Sequence, residues 1–284
     1  MNKKNVIITI SIVIIILILT FLGFFITNKL TQKKLNIKNN SIEEKHDEKV
    51  ISKEEKNKPQ SVVISSKIGM DLIQKAQVSN MYSRPIYDEL KKSGLSNDYI
   101  IMLSIDKAFK NAEYSYMLKM EEKYFGNIIT GSDLLKVAKD YFGVNVKIDN
   151  KEVYLSNYNS TDNNYTIIPI GFGGEDFEYV IDIPYYIEED ENKAYLFVYQ
   201  VFVVGYSYVD FTSQDNKASI YYDDSKKDKI KNIEDERIFN EDYQSDLINE
   251  LILNSTIDKT KLSKAKYTFN KENKNYFISK YEVI

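Results

Sequence analysis

The longest apolar stretch of the chain runs from Val6 to Ile26 and contains neither a charged side chain nor a proline. At a rise of about 1.5 Å per residue, it would form a helix of about 32 Å, enough to cross a hydrocarbon core of about 30 Å. The run exceeds the apolar core of a secretory signal, which has about 7–15 residues, and no small-residue cleavage site follows it. The pattern predicts an uncleaved transmembrane helix at residues 6–26, after a short tail at residues 1–5.

Lysines on both sides of this segment leave its orientation nearly balanced by the positive-inside rule. Lys3 and Lys4 precede it, and four more follow within the next twelve residues: Lys29, Lys33, Lys34 and Lys38. A short positive tail before a long apolar run is the signal-anchor arrangement, which favours an extracytoplasmic domain after the helix. A cytoplasmic domain held at the membrane by the same helix is the alternative.

Residues 27–60 are charged and carry no apolar periodicity. Residues 31–60 contain eight lysines, six acidic residues and no aromatic side chain. Such a segment buries too little apolar surface to offset its loss of chain entropy, so we predict a flexible linker. The only histidine of the chain, His46, lies here among solvated charges, a poor setting for a catalytic base or metal ligand.

Residues 61–143 show apolar positions at helical spacing. Ser96 is a suitable N-cap for a helix, and Pro85 in a first turn with Gly94 at the end would bracket a shorter one before it. The apolar stripe of the helix after Ser96 is formed by Ile105, Phe109, Ala112, Tyr116 and Met120. A further helix begins at Thr130 or Ser132 and ends at Gly143.

From residue 144 the apolar period changes to two, which predicts strands. A hairpin is expected at 144–155, a polar loop at 156–164, and strands at 165–170, 177–187, 194–211 and 218–222. The strand at 194–211 is apolar on both faces and therefore central in its sheet, whereas Pro184 indicates an edge or a bulge. A charged connection at 226–236, a helix around Leu247 and a terminal hairpin complete the chain.

This order of elements predicts the α+β class, with helices followed by an antiparallel sheet. Curved sheets wrapped on a helix, as in cystatin-like and NTF2-like folds, have elements in this order, a likeness that carries no function. Residues 61–284 are either one domain or a helical part at 61–143 joined to a strand-rich part at 144–284.

Composition excludes several chemistries. There is no cysteine, and residues 61–284 lack histidine, so thiolate nucleophiles, Ser-His-Asp triads and histidine-bound zinc are excluded there. The same residues hold 27 basic and 36 acidic groups, a formal charge of −9 that disfavours nucleic-acid binding. A glycine-rich stretch at 171–174 precedes a strand, so we interpret it as a tight loop and not as a phosphate cradle.

We therefore expect no cofactor, no bound metal and no catalytic side chain. Two alternatives stay open: a carboxylate pair acting as a glycan hydrolase, and calcium bound by oxygen ligands. The calcium candidates are Asp210, Asp215, Asp223 and Asp224.

Tyrosines crowd the strand-rich part and suggest a ligand or partner surface, because each combines an apolar ring with a polar tip. The candidates are Tyr179, Tyr185, Tyr195, Tyr199, Tyr206 and Tyr208. Core filling by tyrosine is the alternative. Together these features favour a membrane-anchored, non-enzymatic binding or assembly domain at the cell envelope, with a protein or cell-wall partner. The alternatives are an envelope glycan hydrolase that uses carboxylates and a ligand-sensing domain of a membrane complex.

Overall fold

The computed structural model describes residues 59–121, 126–167, 175–207 and 217–284. The predicted transmembrane helix at residues 6–26 lies outside these ranges, as do residues 27–58 of the predicted linker. Within the described ranges, no helix has the length and apolar character needed to span a bilayer.

The described residues form an α+β domain with helices and antiparallel sheets. Its helices are α1 (Lys67–Ala76), α2 (Asn80–Ser93), α3 (Asn97–Lys110), α4 (Gly131–Phe142) and α5 (Glu241–Leu253), with 3-10 turns at Ala112–Met117 and Glu236–Phe239. Its first strands are β1 (Gln60–Ser61), β2 (Lys119–Glu121), β3 (Gly126–Thr130), β4 (Ser156–Asn159), β5 (Asn164–Ile167) and β6 (Glu175–Glu189). The later strands are β7 (Lys193–Ser207), β8 (Lys217–Tyr221), β9 (Lys229–Ile233), β10 (Ser263–Glu272) and β11 (Asn275–Val283).

Local chemistry explains where the helices begin and end. The side chains of Ser96 and Thr130 accept hydrogen bonds from backbone N–H groups three residues later, at 3.2 and 3.1 Å. Gly94 and Gly143 follow α2 and α4 with φ of 64° and 92°, which glycine adopts at little cost. The predicted caps at these positions are confirmed.

The strand β7 lies at the centre of the larger sheet, which has seven described strands. It pairs with β6 along one edge, while β10 and β8 share its other edge, the former beside Lys193–Gln200 and the latter beside Phe202–Tyr206. The pairing of β6 with β7 shifts between Pro184 and Tyr186, which confirms the predicted bulge. A smaller sheet has the order β2-β3-β5-β4.

Hydrophobic clusters lie on both faces of the larger sheet. The inner face, which carries Leu196 and Val198 of β7, packs with α1 to α4 in one continuous core. The outer face carries Val201 and Val203, and its far end packs against α5 through residues such as Leu247. Helical and strand-rich parts of the chain therefore share the inner core.

The structure changes the predicted helix after Ser96. The helix ends at Lys110, and Asn111 turns the backbone out of it with φ −93° and ψ 116°. Tyr116 and Met120, predicted to face the core, are 73% and 81% exposed. The predicted stripe is wrong at its end because these residues belong to a 3-10 turn and to strand β2, where helical spacing no longer places them on the core-facing side.

Asp106 and Lys107 fall on the side of this helix away from the apolar stripe, where the spacing predicts a solvated face, yet both are buried. Asp106 accepts hydrogen bonds from the backbone and hydroxyl of Ser79. Lys107 donates to the carbonyl oxygen of Gln74 at 2.7 Å and to that of Gln77, both at the C-terminal end of α1. These partners lie at the end of α1 and in the segment that leads into α2, so the sequence around position 106 does not reveal them.

The hairpin predicted at 144–155 is absent: that segment forms a single bridge, between Val153 and Ser156. Leu155 has φ of 56°, which breaks the extended backbone between those two residues. The hairpin is instead formed by β4, in the segment predicted as a loop, and by β5, which overlaps the strand predicted at 165–170. The predicted charged connection contains strand β9.

The proline of α2 is also displaced from its predicted place. Pro85 lies inside the helix, past its first turn, because α2 begins at Asn80.

Candidate functional site

Three of the predicted tyrosines meet on the outer face of the larger sheet. Tyr185 stacks on Tyr199 with ring centroids 4.1 Å apart. The ring centroid of Phe197 lies 6.3 Å from that of Tyr185 and 5.5 Å from that of Tyr186. Together with Tyr195, these residues form what we call the aromatic face, defined as Tyr185, Tyr186, Tyr195, Phe197 and Tyr199.

Strand geometry explains this gathering. Tyr195, Phe197 and Tyr199 alternate along β7, so their side chains share one face. Successive residues of a regular strand point to opposite faces, yet Tyr185 and Tyr186 both contact outer-face rings. The bulge that follows Pro184 makes this arrangement, because it inserts one unpaired residue into β6.

Lysines of β10 border the aromatic face. The Nζ of Lys264 lies 5.8 Å from the ring centroid of Tyr199, and that of Lys266 lies 5.9 Å from that of Tyr195. Lys266 also pairs with Glu282 at 2.9 Å. These distances suit cation–π contacts at an accessible surface.

The aromatic rings are only partly covered. Tyr186 is 38% exposed, and the other four side chains are partly exposed. Burial raises the pKa of Tyr185, as it does that of Tyr195, whose hydroxyl donates to Asp190 at 3.2 Å. The face therefore combines an apolar surface with polar hydroxyl tips, and the shifts disfavour ionisation of Tyr185 and Tyr195.

Another predicted tyrosine, Tyr179, lies apart from this face. Tyr179 is 4% exposed in the cluster beneath α5, and its hydroxyl donates to the carbonyl oxygen of Ile238. The backbone of Tyr206 pairs with Asp176 and Lys217. Tyr208 lies outside the described residues. The alternative of core filling is therefore correct for Tyr179.

A second group of polar residues lies on the inner face, where sequence reasoning expected none. The Oδ1 atom of Asp182 accepts a hydrogen bond from Gln200 at 2.9 Å, and its Oδ2 atom accepts one from the Tyr267 hydroxyl at 2.7 Å. The Tyr281 hydroxyl donates to Gln200 at 3.3 Å. These four residues, the Asp182 cluster, come from four adjacent strands.

Electrostatics of the Asp182 cluster follow from its depth. Burial raises the pKa of Asp182, although the hydrogen bonds from Gln200 and Tyr267 oppose the shift. Burial and the nearby Asp182 charge raise the pKa of Tyr267, and they act in the same direction on Tyr281 and on Tyr99 of α3. Tyr267 and Tyr281 thus act as hydrogen-bond donors, and Tyr267 donates to a carboxyl group that resists ionisation.

Alternation along β6 puts Asp182 on the face away from the apolar side chains of that strand, and such a face is normally solvated. The residue that could have revealed the cluster is Gln200, an isolated amide in the otherwise apolar run of β7. A polar side chain in a central strand needs a buried partner. Its partner, Asp182, lies on a neighbouring strand, so only the register between the strands identifies it.

Side chains that could hold a metal do not converge in the part of the chain that is described. Of the calcium candidates, Asp224 pairs with Lys91, and Asp223 accepts a hydrogen bond from the backbone of Ser225 at 2.9 Å. Asp210 and Asp215 lie outside the described residues, as does the glycine-rich stretch at 171–174. The two described aspartates thus already have hydrogen-bond or ion-pair partners within the domain.

Comparison with known proteins adds no relative to this description. No protein-family model, no curated protein and no solved structure matches the chain.

Proposed function

We propose that this chain is a single-pass membrane protein whose α+β domain is a non-enzymatic binding module at the cell envelope. The observation that carries this proposal is the aromatic face, which contacts a partner protein. Tyrosine is among the residues that contribute most to protein–protein interfaces, since its ring buries a large area with few rotatable bonds. Five adjacent aromatic side chains on one sheet face are well suited to that role.

Charge indicates the chemistry of the partner. Lys264 and Lys266 lie beside the aromatic rings, and Glu282 offsets part of this charge through its pair with Lys266. The face is therefore positive on its β10 side, whereas Asp190 and Glu188 lie near Tyr195, and the domain is acidic as a whole. We propose a protein partner with acidic residues around an apolar centre, since complementary charges at a rim increase association rates and specificity.

The anchor at residues 6–26 and the linker that follows would hold the domain near the membrane, on its extracytoplasmic side. Within the domain, we propose that the sheet curves as in cystatin-like and NTF2-like folds. Two features support curvature: the bulge in β6, and the division of one edge of β7 between β10 and β8.

The first experiment tests the side of the membrane. Ser160 is exposed in the turn between β4 and β5, and the chain has no natural cysteine, so Ser160→Cys creates a unique thiol. Intact cells are treated with a membrane-impermeant maleimide, and permeabilised cells serve as the control. Labelling of intact cells supports the proposal, whereas labelling only after permeabilisation places the domain in the cytoplasm.

The second experiment tests the aromatic face. Tyr186→Cys introduces a thiol on this face, and Tyr243→Cys, at a position that is 52% exposed on α5, is the matched control. A thiol-directed cross-linker is added to intact cells. We expect a discrete, protease-sensitive adduct from position 186 that disappears when Tyr199→Ser is added, and no such adduct from position 243.

Other results would change the proposal. An adduct that resists protease but is lost on digestion of wall glycan identifies a glycan partner. Equal adducts from positions 186 and 243 show that the aromatic face has no special role.

A further inference from the structure

A cavity of about 380 Å³ opens where the edge of β6 passes between α2 and α5. Its volume lies within the range of small-molecule sites, about 300–1,000 Å³. Apolar walls come from α2 and from the inner face of β7, through residues such as Ile86, Leu90, Leu196 and Val198. It is distinct from the aromatic face, because those walls belong to the opposite side of the sheet.

The Asp182 cluster lines this cavity through all four of its members. Gln200, Tyr267 and Tyr281 are buried, whereas Asp182 keeps partial exposure although its carboxyl is deep enough for burial to raise its pKa. Among the described residues, no lysine or arginine forms an ion pair with Asp182. The cavity thus contains a carboxyl group that has no cationic partner among the described residues.

The surroundings of this carboxyl group favour a positive charge. Tyr87, Tyr267 and Tyr281 line the same cavity, and aromatic rings attract cations, as the Tyr87 ring already does with Arg84 and Lys91. Glu241 and Asp246 of α5 line it as well. Glu241 is paired with Lys110, but Asp246 is exposed and adds negative potential.

We propose that this cavity binds a small organic cation, an apolar molecule whose ammonium group lies against Asp182. Bringing an ammonium group to a desolvated carboxylate compensates both charges, and the apolar body would fill the space between α2 and β7. The alternative is a purely structural cluster, in which Asp182 stays protonated and links the four strands.

The test compares three probes of similar shape on the full chain in a mild non-ionic detergent: 2-phenylethylammonium, 2-phenylethanol and 3-phenylpropionate. Binding is measured by calorimetry and by the shift of the melting temperature. We expect the ammonium probe to bind at least about tenfold more tightly than the alcohol, and the carboxylate not to bind. This comparison uses the unaltered protein and does not depend on the folding of any variant.

Two variants localise the site. Asp182→Asn keeps the shape of the side chain and removes its charge, so the ammonium probe should bind at least about tenfold more weakly. Asp162→Asn, at an exposed position near the β4–β5 turn, is the matched control and should leave binding unchanged.

Three results would overturn the proposal. The first is equal binding of the ammonium probe and the alcohol, and the second is binding of the ammonium probe by Asp182→Asn as tightly as by the wild type. The third is the absence of ammonium binding up to millimolar concentrations. Each would identify the Asp182 cluster as structural. None bears on the aromatic face, which the cross-linking experiment tests separately.

Discussion

The strongest test of the inner-face electrostatics is the pH dependence of stability in Asp182→Asn. Burial raises the pKa of Asp182 in the folded protein above its value in the unfolded chain. Between those two pKa values the folded state holds one more proton than the unfolded state. The contribution of Asp182 to the free energy of unfolding is therefore fully present below the unfolded pKa of about 3.9, and it is lost as pH rises through the folded pKa.

The size of the effect follows from linkage. One proton changes the free energy of unfolding by about 1.4 kcal/mol per pH unit over that interval. The stability of the wild type minus that of Asp182→Asn should thus fall with a slope approaching this value as pH rises from about 4. Other titratable groups that face Asp182 or line its cavity are present in both proteins: Tyr87, Tyr99, Tyr267, Tyr281, Glu241 and Asp246.

The assay is urea unfolding of the full chain in non-ionic detergent, followed by circular dichroism at several pH values. Asp133→Asn is the matched control, because the hydrogen-bonded Lys136 lowers the pKa of Asp133. The stability of the wild type minus that of Asp133→Asn should rise with pH, since the contribution of ionised Asp133 to the free energy of unfolding is lost as pH falls. If the Asp182 difference stays flat or increases with pH, the carboxyl ionises as easily in the folded state as in the unfolded chain, and the reasoning is wrong.

Three further substitutions test the packing by urea unfolding of the same chain. Gly69→Ala should destabilise the protein several times more than Gly94→Ala, because a Cβ at position 69 would lie 2.3 Å from the carbonyl oxygen of Ile64. A Cβ at position 94 would meet open space, so that substitution costs only the strain of its positive φ, about 1 kcal/mol. Equal losses of stability would disprove the close approach at Gly69. Phe202→Ala should cost about 3–5 kcal/mol, since this fully buried ring leaves a cavity, and a loss below about 1 kcal/mol would show that its surroundings collapse. Lys107→Met should cost about 2–4 kcal/mol, because it leaves carbonyl oxygens at the end of α1 without a donor, and a neutral result would mean that water reaches them.

Local signals predicted the elements whose causes are themselves local. The N-caps at Ser96 and Thr130 and the stop at Gly143 depend on side chains within a few residues of the helix end. Strand β7 was recognisable because apolar residues occupy both of its faces, which only a central strand requires. Pro184 predicted a bulge or an edge because a proline cannot donate to a strand ladder.

Elements that depend on distant partners were not predictable in the same way. Strand β9, with the sequence KIKNI, has little apolar periodicity and extends because it pairs with β8. Helical spacing predicted that the apolar stripe after Ser96 continues to position 120, but the helix ends before Asn111. Asp106 and Lys107 looked solvated, since their partners lie on α1 and on the segment that leads into α2.

The same distinction between local causes and distant partners applies to the candidate sites. The sequence by itself determined that the domain lacks cysteine and histidine chemistry, is acidic, belongs to the α+β class and carries many tyrosines in its strands. Only the tertiary structure decided which tyrosines share a surface, because the β6 bulge brings Tyr185 and Tyr186 to one face while α5 buries Tyr179. It also decided that Asp182 meets Gln200 and Tyr267, since strand register brings together residues that are far apart along the chain.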